Sequence, residues 1–114
     1  FIYRTQFSYP PSSYIKEDKA IKYVFNDAKG KPFGILVYSK GIQEDYNYLI
    51  WWNDSTKFHN SPYKEKKGYY YIIIEPISPF SLIDEKKLNS LRSGNLVKTE
   101  KLSNGFSIEK RFVK

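Results

Sequence analysis

The chain has 114 residues, with 19 Lys and Arg against 12 Asp and Glu, and a formal net charge of +7. It contains no cysteine and a single histidine, which excludes disulfides, thiolate catalysis and the usual cysteine- and histidine-based zinc sites. A chain of this length is one domain's worth of sequence, and it can bury roughly 65% of its unfolded surface without covalent staples.

Residues 1–114 therefore read as a single β-rich domain. The hydrophobic fraction is 40% and the aromatic fraction 18%, with 11 Tyr and 8 Phe. Ala20 and Ala28 are the only alanines, which argues against a helical bundle, whereas Tyr, Ile, Phe and Thr suit half-buried strands. Lysine supplies 16 of the 19 basic residues and arginine three. A +7 chain is drawn to nucleic acid, anionic membrane or an acidic protein. The scarcity of arginine, whose planar fork reads phosphates and bases, weighs toward a solvated lysine surface. Methionine is absent and the sequence opens at Phe1. That pattern fits a processed, extracytoplasmic chain as well as an excised domain. No stretch approaches the ~20 apolar residues of a membrane span.

Taken in chain order, Phe1 to Tyr9 reads as a first strand, ended by Pro10-Pro11. Ser12 and Ser13 are candidate caps for a short helical turn over Tyr14 to Lys19. Ile21, Tyr23 and Phe25 alternate, as do Phe33, Ile35 and Val37, and the turn residues between them predict a hairpin. Tyr46 to Trp52 and Tyr69 to Glu75 are apolar on both faces and predict central strands covered on both sides. The window Tyr69 to Ile74 is an aggregation hazard, flanked by Lys64 to Lys67 and by Pro76 as gatekeepers.

One helix is expected near residues 81–93. It has two competing caps: Ser81 with Asp84 at N3, or Asp84 with an Ile83–Leu88 staple. Gly94 is a suitable C′ residue. The last 20 residues predict a hairpin around Ser103-Asn104-Gly105. A three-residue loop with Gly105 left-handed gathers Leu96, Leu102, Phe106, Ile108 and Phe112 on one face and keeps Glu100 from facing Glu109. The fold class is thus α+β: a mainly antiparallel sheet of about six strands with one helix. Barrel-like closure and a sheet carrying the helix on one face both fit.

No cofactor or metal is expected, because the carboxylates are dispersed and sit where capping and solubility explain them. The most site-like segment is Trp51-Trp52-Asn53-Asp54, with Lys57 and His59. It joins aromatics, an imidazole and hydrogen-bonding side chains at the end of an apolar run; its bland reading is a polar connection built on Asx turns. Asn53-Asp54-Ser55 also matches a glycosylation sequon. His59 as acid and Glu75 as base, with arginines for the phosphate, could compose a metal-independent ribonuclease. Tyr and Trp beside Lys could stack on single-stranded nucleic acid. The leading expectation is a non-enzymatic accessory or immunity-type binding module. Its sheet edge or aromatic face would engage a protein partner of acidic character. Two strands apolar on both faces leave dimerisation open.

Overall fold

The computed structural model describes residues 14–40 and 43–114, without the side chain of Gln43. The elements run α1 (Ile15–Ala28), β1 (Gly34–Tyr38), α2 (Gln43–Asn53), a π-helical turn (Asp54–Phe58), β2 (Gly68–Ile74), α3 (Leu82–Leu91), β3 (Asn95–Lys101) and β4 (Ser107–Val113). The strands form one open, mixed sheet in the order β1-β2-β4-β3. β1 and β2 are parallel, with Ile35 opposite Tyr71. β4 is antiparallel to both neighbours, with Ile73 and Glu100 each opposite Ile108.

The expectation of about six antiparallel strands and one helix is overturned. Among the described residues there are four strands in a mixed, unclosed sheet and three α-helices. Residues 21–26 belong to α1, not to a hairpin. Its buried stripe is Asp18, Ala20, Ile21, Val24, Phe25 and Ala28, a helical period that keeps Ile21 and Phe25 of the expected alternation and leaves Tyr23 off the stripe. Residues 46–52 belong to α2, where Tyr46, Leu49, Ile50 and Asn53 are buried at i, i+3, i+4 and i+7. Once α2 is a helix, it becomes the crossover that a parallel β1–β2 pair requires. The strand expected over Phe1 to Tyr9 lies outside the described residues. The Ser12/Ser13 caps lie outside them too. α1 begins after Tyr14 with no side-chain cap.

The sheet is covered on both faces. α1 and α2 bury Ala20, Val24, Phe25, Leu49 and Ile50 against Ile35, Tyr71, Ile73 and Ile108. α3 buries Leu88, with Leu91 beside it, against Tyr38, Tyr70 and Ile72 on the opposite face. β2 is therefore central and covered on both sides, as its two apolar faces predict.

Polar groups tie the layers together where they are buried. Asn53 donates to the Asp18 carboxylate at 2.9 Å and to the carbonyl of Leu49 at 2.8 Å, joining α2 to α1. The Ser81–Asp84 capping box is realised at the start of α3. Asp84 also accepts from the Tyr38 hydroxyl at 2.6 Å and pairs with Lys40 at 3.0 Å, fastening α3 to the end of β1. Those donors, Tyr38 foremost, hold the Asp84 carboxyl well below the usual range. Glu109 on β4 receives both Arg92, at 3.0 and 2.5 Å, and Arg111, at 3.1 Å. α3 ends at Leu91 and Gly94 lies further on. There its φ of +64° turns the chain into β3.

The C-terminal hairpin has the three-residue loop. Leu102 N–H donates to Phe106 at 2.8 Å, Gly105 N–H donates back to Leu102 at 3.0 Å, and Gly105 is left-handed. Glu100 faces Ile108, and Thr99 faces Glu109. The expected apolar face is incomplete, because a bulge between Leu96 and Lys98 pairs Leu96 with Arg111. The extra residue shifts Leu96 to the other face of the strand.

Candidate functional site

The residues singled out from the sequence separate into two regions. Trp51, Trp52, Asn53, Asp54, Lys57 and His59 lie together at the end of α2 and on the π-helical turn after it. Trp51 is 51% exposed, and its ring stacks on Tyr48 at 5.7 Å; Tyr48 also meets Trp52 edge-on at 6.4 Å. Asn53 is 1% exposed and hydrogen-bonded, so its amide is a structural tie, closed to glycosylation. Asp54 accepts from the Ser61 hydroxyl at 2.5 Å, and its carbonyl accepts from the His59 N–H at 2.7 Å. Lys57 lies over the Phe58 ring at 5.3 Å. His59 is exposed and left-handed, with a φ of +52°.

Glu75 belongs to the opposite end of the sheet. Asn60 donates to the Lys31 carbonyl, and Tyr63 bridges the start of β1, so His59 sits by the beginning of the parallel strands. Glu75 directly follows β2, and its carboxylate accepts from Ser39 at 2.9 Å and from the Tyr46 hydroxyl. Burial, reinforced by Glu75, pushes the Tyr46 hydroxyl up. The structure does not bring His59 and Glu75 together as an acid–base pair.

A second polar cluster surrounds Asp27, at the end of α1. Its carboxylate accepts from Tyr71 at 2.6 Å, pairs with Lys110 at 3.2 Å and also receives Lys98. Lys110 in turn lies over the rings of Tyr69 and Tyr71 at 5.0 and 5.5 Å. Burial alone would push the Asp27 carboxyl up; the hydrogen bonds from Lys98, Tyr71 and Lys110 outweigh it and hold it at about 2. An unfolded aspartate titrates near pH 4, roughly. The contribution of Asp27 is therefore fully present above about pH 4 and is lost as the pH falls toward 2. Urea unfolding at a series of pH values is expected to show a steeper stability loss across that window for the parent chain than for Asp27→Asn. Parallel slopes would remove Asp27 from the acid limb.

A sheet edge was among the surfaces expected from the sequence, but not the strand that forms it, which is β3. All seven residues of β3 are exposed, and among the described residues the one tie to a helix is from Lys98 to Tyr23 and Asp27 of α1. Leu96 and Val97 remain about half exposed there. The outer side of β1, by contrast, is partly paired: Ile35 N–H donates to the Tyr63 carbonyl at 3.0 Å, and Tyr63 N–H donates to Phe33 at 3.1 Å. Among the described residues, no strand pairs with the outer side of β3. The Leu102–Phe106 bond fixes which way β3 faces. Backbone groups alternate along a strand, so Leu102, Glu100 and Lys98 point to β4, while Lys101 and Thr99 point outward.

A groove of about 400 Å³ with a mixed polar and apolar lining adjoins the end of this edge, between the connector after β2 and the β3–β4 turn. Ile74, Glu75, Pro76 and Phe80 line it from one side, Lys101 and Ser107 from the other. Just beyond, Leu82 and Ile83 stand 69% and 65% exposed at the start of α3. Ile83 was expected as half of a staple with Leu88; the capping box instead leaves it in solvent. A signal for the edge was present in the sequence, since Lys98, Glu100 and Lys101 give β3 a charge on each face.

Among the described residues, no group of three or more His, Asp or Glu could hold a metal, and no helix is long and apolar enough to cross a membrane. No protein-family model matches the chain, and no curated protein or solved structure is significantly similar to it.

Proposed function

We propose that the chain is a non-enzymatic protein-binding module that takes an extended segment of a partner along the outer edge of β3. The observation that carries this reading is the exposure of β3 along its whole length, with the Thr99 and Lys101 backbone groups directed outward. Strand addition supplies affinity through main-chain hydrogen bonds and specificity through pockets for alternate side chains. The groove beside Lys101 is placed to take one apolar side chain of such a segment. The +7 charge and the lysines at positions 98 and 101 favour a segment with acidic residues.

The test is Thr99→Pro. Its N–H points away from β4, so proline there removes no bond of the hairpin, and edge strands tolerate the residue. Partner retained by the parent chain at modest salt is expected to bind the variant at least about tenfold more weakly, with the far-ultraviolet spectrum unchanged. Retention undiminished by Thr99→Pro sinks the edge reading.

A further inference from the structure

We infer that the extended segment best matched to the β3 edge is β3 of a second copy of this chain, paired antiparallel about a two-fold axis at Thr99. The inference rests on the edge-binding reading above and names its partner.

Two rules restrict how β3 can meet itself. Antiparallel pairing sets outward-directed residues opposite one another, so the axis must pass through a residue and not between two. Regular pairing is also confined to the part of the strand after the Val97 bulge. Such a bulge, with edge lysines, is how sheets avoid indiscriminate pairing. Four centres then remain, and charge separates them. An axis at Lys98 sets lysine against lysine. An axis at Glu100 sets carboxylate against carboxylate. An axis at Lys101 again opposes two lysines. An axis at Thr99 places Lys98 of each copy directly opposite Glu100 of the other, twice by symmetry.

That register is also favourable in its detail. Lys98 and Glu100 fall at non-hydrogen-bonded positions, where facing side chains approach most closely and opposite charges stabilise a pair. Thr99 meets its own copy at a hydrogen-bonded position, and regular pairing ends where Lys101 reaches the Val97 bulge of the other copy. Glu100 is exposed, and no ion pair engages it among the described residues, whereas Lys98 already leans toward Asp27 on the α1 face. The incoming carboxylate would therefore join a lysine that α1 has fixed in place. The product is a continuous eight-stranded sheet across two copies. Pairing over so few residues covers less than the ~800 Å² per partner of a standard stable complex, so the dimer is expected to be weak and reversible.

Sedimentation of the full chain at rising concentration, up to about 1 mM, tests the inference. The expected result is a monomer–dimer equilibrium. Glu100→Lys, which turns both attractive pairs repulsive, should weaken it roughly tenfold or more. Thr99→Pro should abolish it. A parent chain that stays monomeric throughout overturns self-pairing, as does a dimer indifferent to either substitution. If self-pairing fails while capture of another protein still depends on Thr99, the edge reading stands and only its partner changes. If neither depends on Thr99, both fall.

Discussion

Replacing Phe25 with alanine is expected to cost the fold about 3–5 kcal/mol while leaving its helical signal intact. Phe25 is 1% exposed. Its ring meets Phe33 edge-on at 5.2 Å and stacks on Phe58 at 4.9 Å. It thereby holds α1, the start of β1 and the turn after α2 in one contact. Alanine is the strongest helix former, so the backbone of α1 loses nothing by the change. The whole deficit is the lost transfer energy and the cavity that three separate elements cannot collapse to fill. Urea unfolding should show the midpoint falling without a change in slope. The same experiment probes the assignment of residues 21–26, because alanine at a buried strand position would also forfeit strand propensity. A loss below about 1 kcal/mol would contradict the packing described here.

Gly94 is the second position where a small change is expected to have a large effect. Its φ is +64°, and a Cβ there would stand 2.1 Å from the Phe112 carbonyl oxygen and 2.9 Å from its carbon. No rotamer relieves a backbone contact, so β4 would have to move away from the turn that feeds β3. Gly94→Ala is expected to destabilise by about 3 kcal/mol or more, combining left-handed strain with that clash. Gly30→Ala supplies the contrast: its φ is +78°, but its added Cβ meets nothing within 4 Å. There only the conformational cost of about 1–2 kcal/mol should appear. Thermal unfolding of the two variants side by side separates steric exclusion from backbone preference, and equal shifts would deny the clash.

What the sequence conveyed and what it concealed divide along physical lines. Tyr69 to Glu75 declared a central strand because a six-residue apolar run bounded by Gly68 and Pro76 has few other uses. Ser81 and Asp84 offered one of two starts for α3, and the one realised is the capping box, a local bond pattern that needs no tertiary context. The hairpin loop at Gly105 was legible from pairing instead, because the three-residue loop keeps Glu100 from facing Glu109. α1 was concealed because it lacks a capping side chain at its start, and because Ile21 and Phe25, four apart, fit a helix and, with Tyr23 between them, also fit a strand. Ala20, Val24 and Ala28 decide between them, but small residues count for little when aromatics are weighed. α2 was concealed by composition. Tyr, Trp and Ile favour strands, and the last member of its buried stripe is Asn53, a polar residue. The acidic first turn of Glu44 and Asp45 was its one local signal. Misreading those two helices as strands changed the sheet from mixed to antiparallel, because a hairpin reverses direction and a helical crossover preserves it. At the site, the bulge at Val97 could not be read without knowing the pairing, and the bareness of β3 is a property of what the helices fail to cover.

The order β1-β2-β4-β3 has a consequence for how the chain is made. β2 carries the segment Tyr69 to Ile74, and the neighbour on its far side is β4, whose residues leave the ribosome about 40 positions later. Until Ser107 to Val113 emerge, β2 can be sheltered by β1 on one flank only, and β3 has no strand to lie against. The last strand of the described sheet therefore fits between two that precede it, and its arrival joins both at once. A nascent chain paused before Ser107 would present one bare flank of its most adhesive strand. The lysines just ahead of that strand are the first residues able to keep such chains apart during the wait.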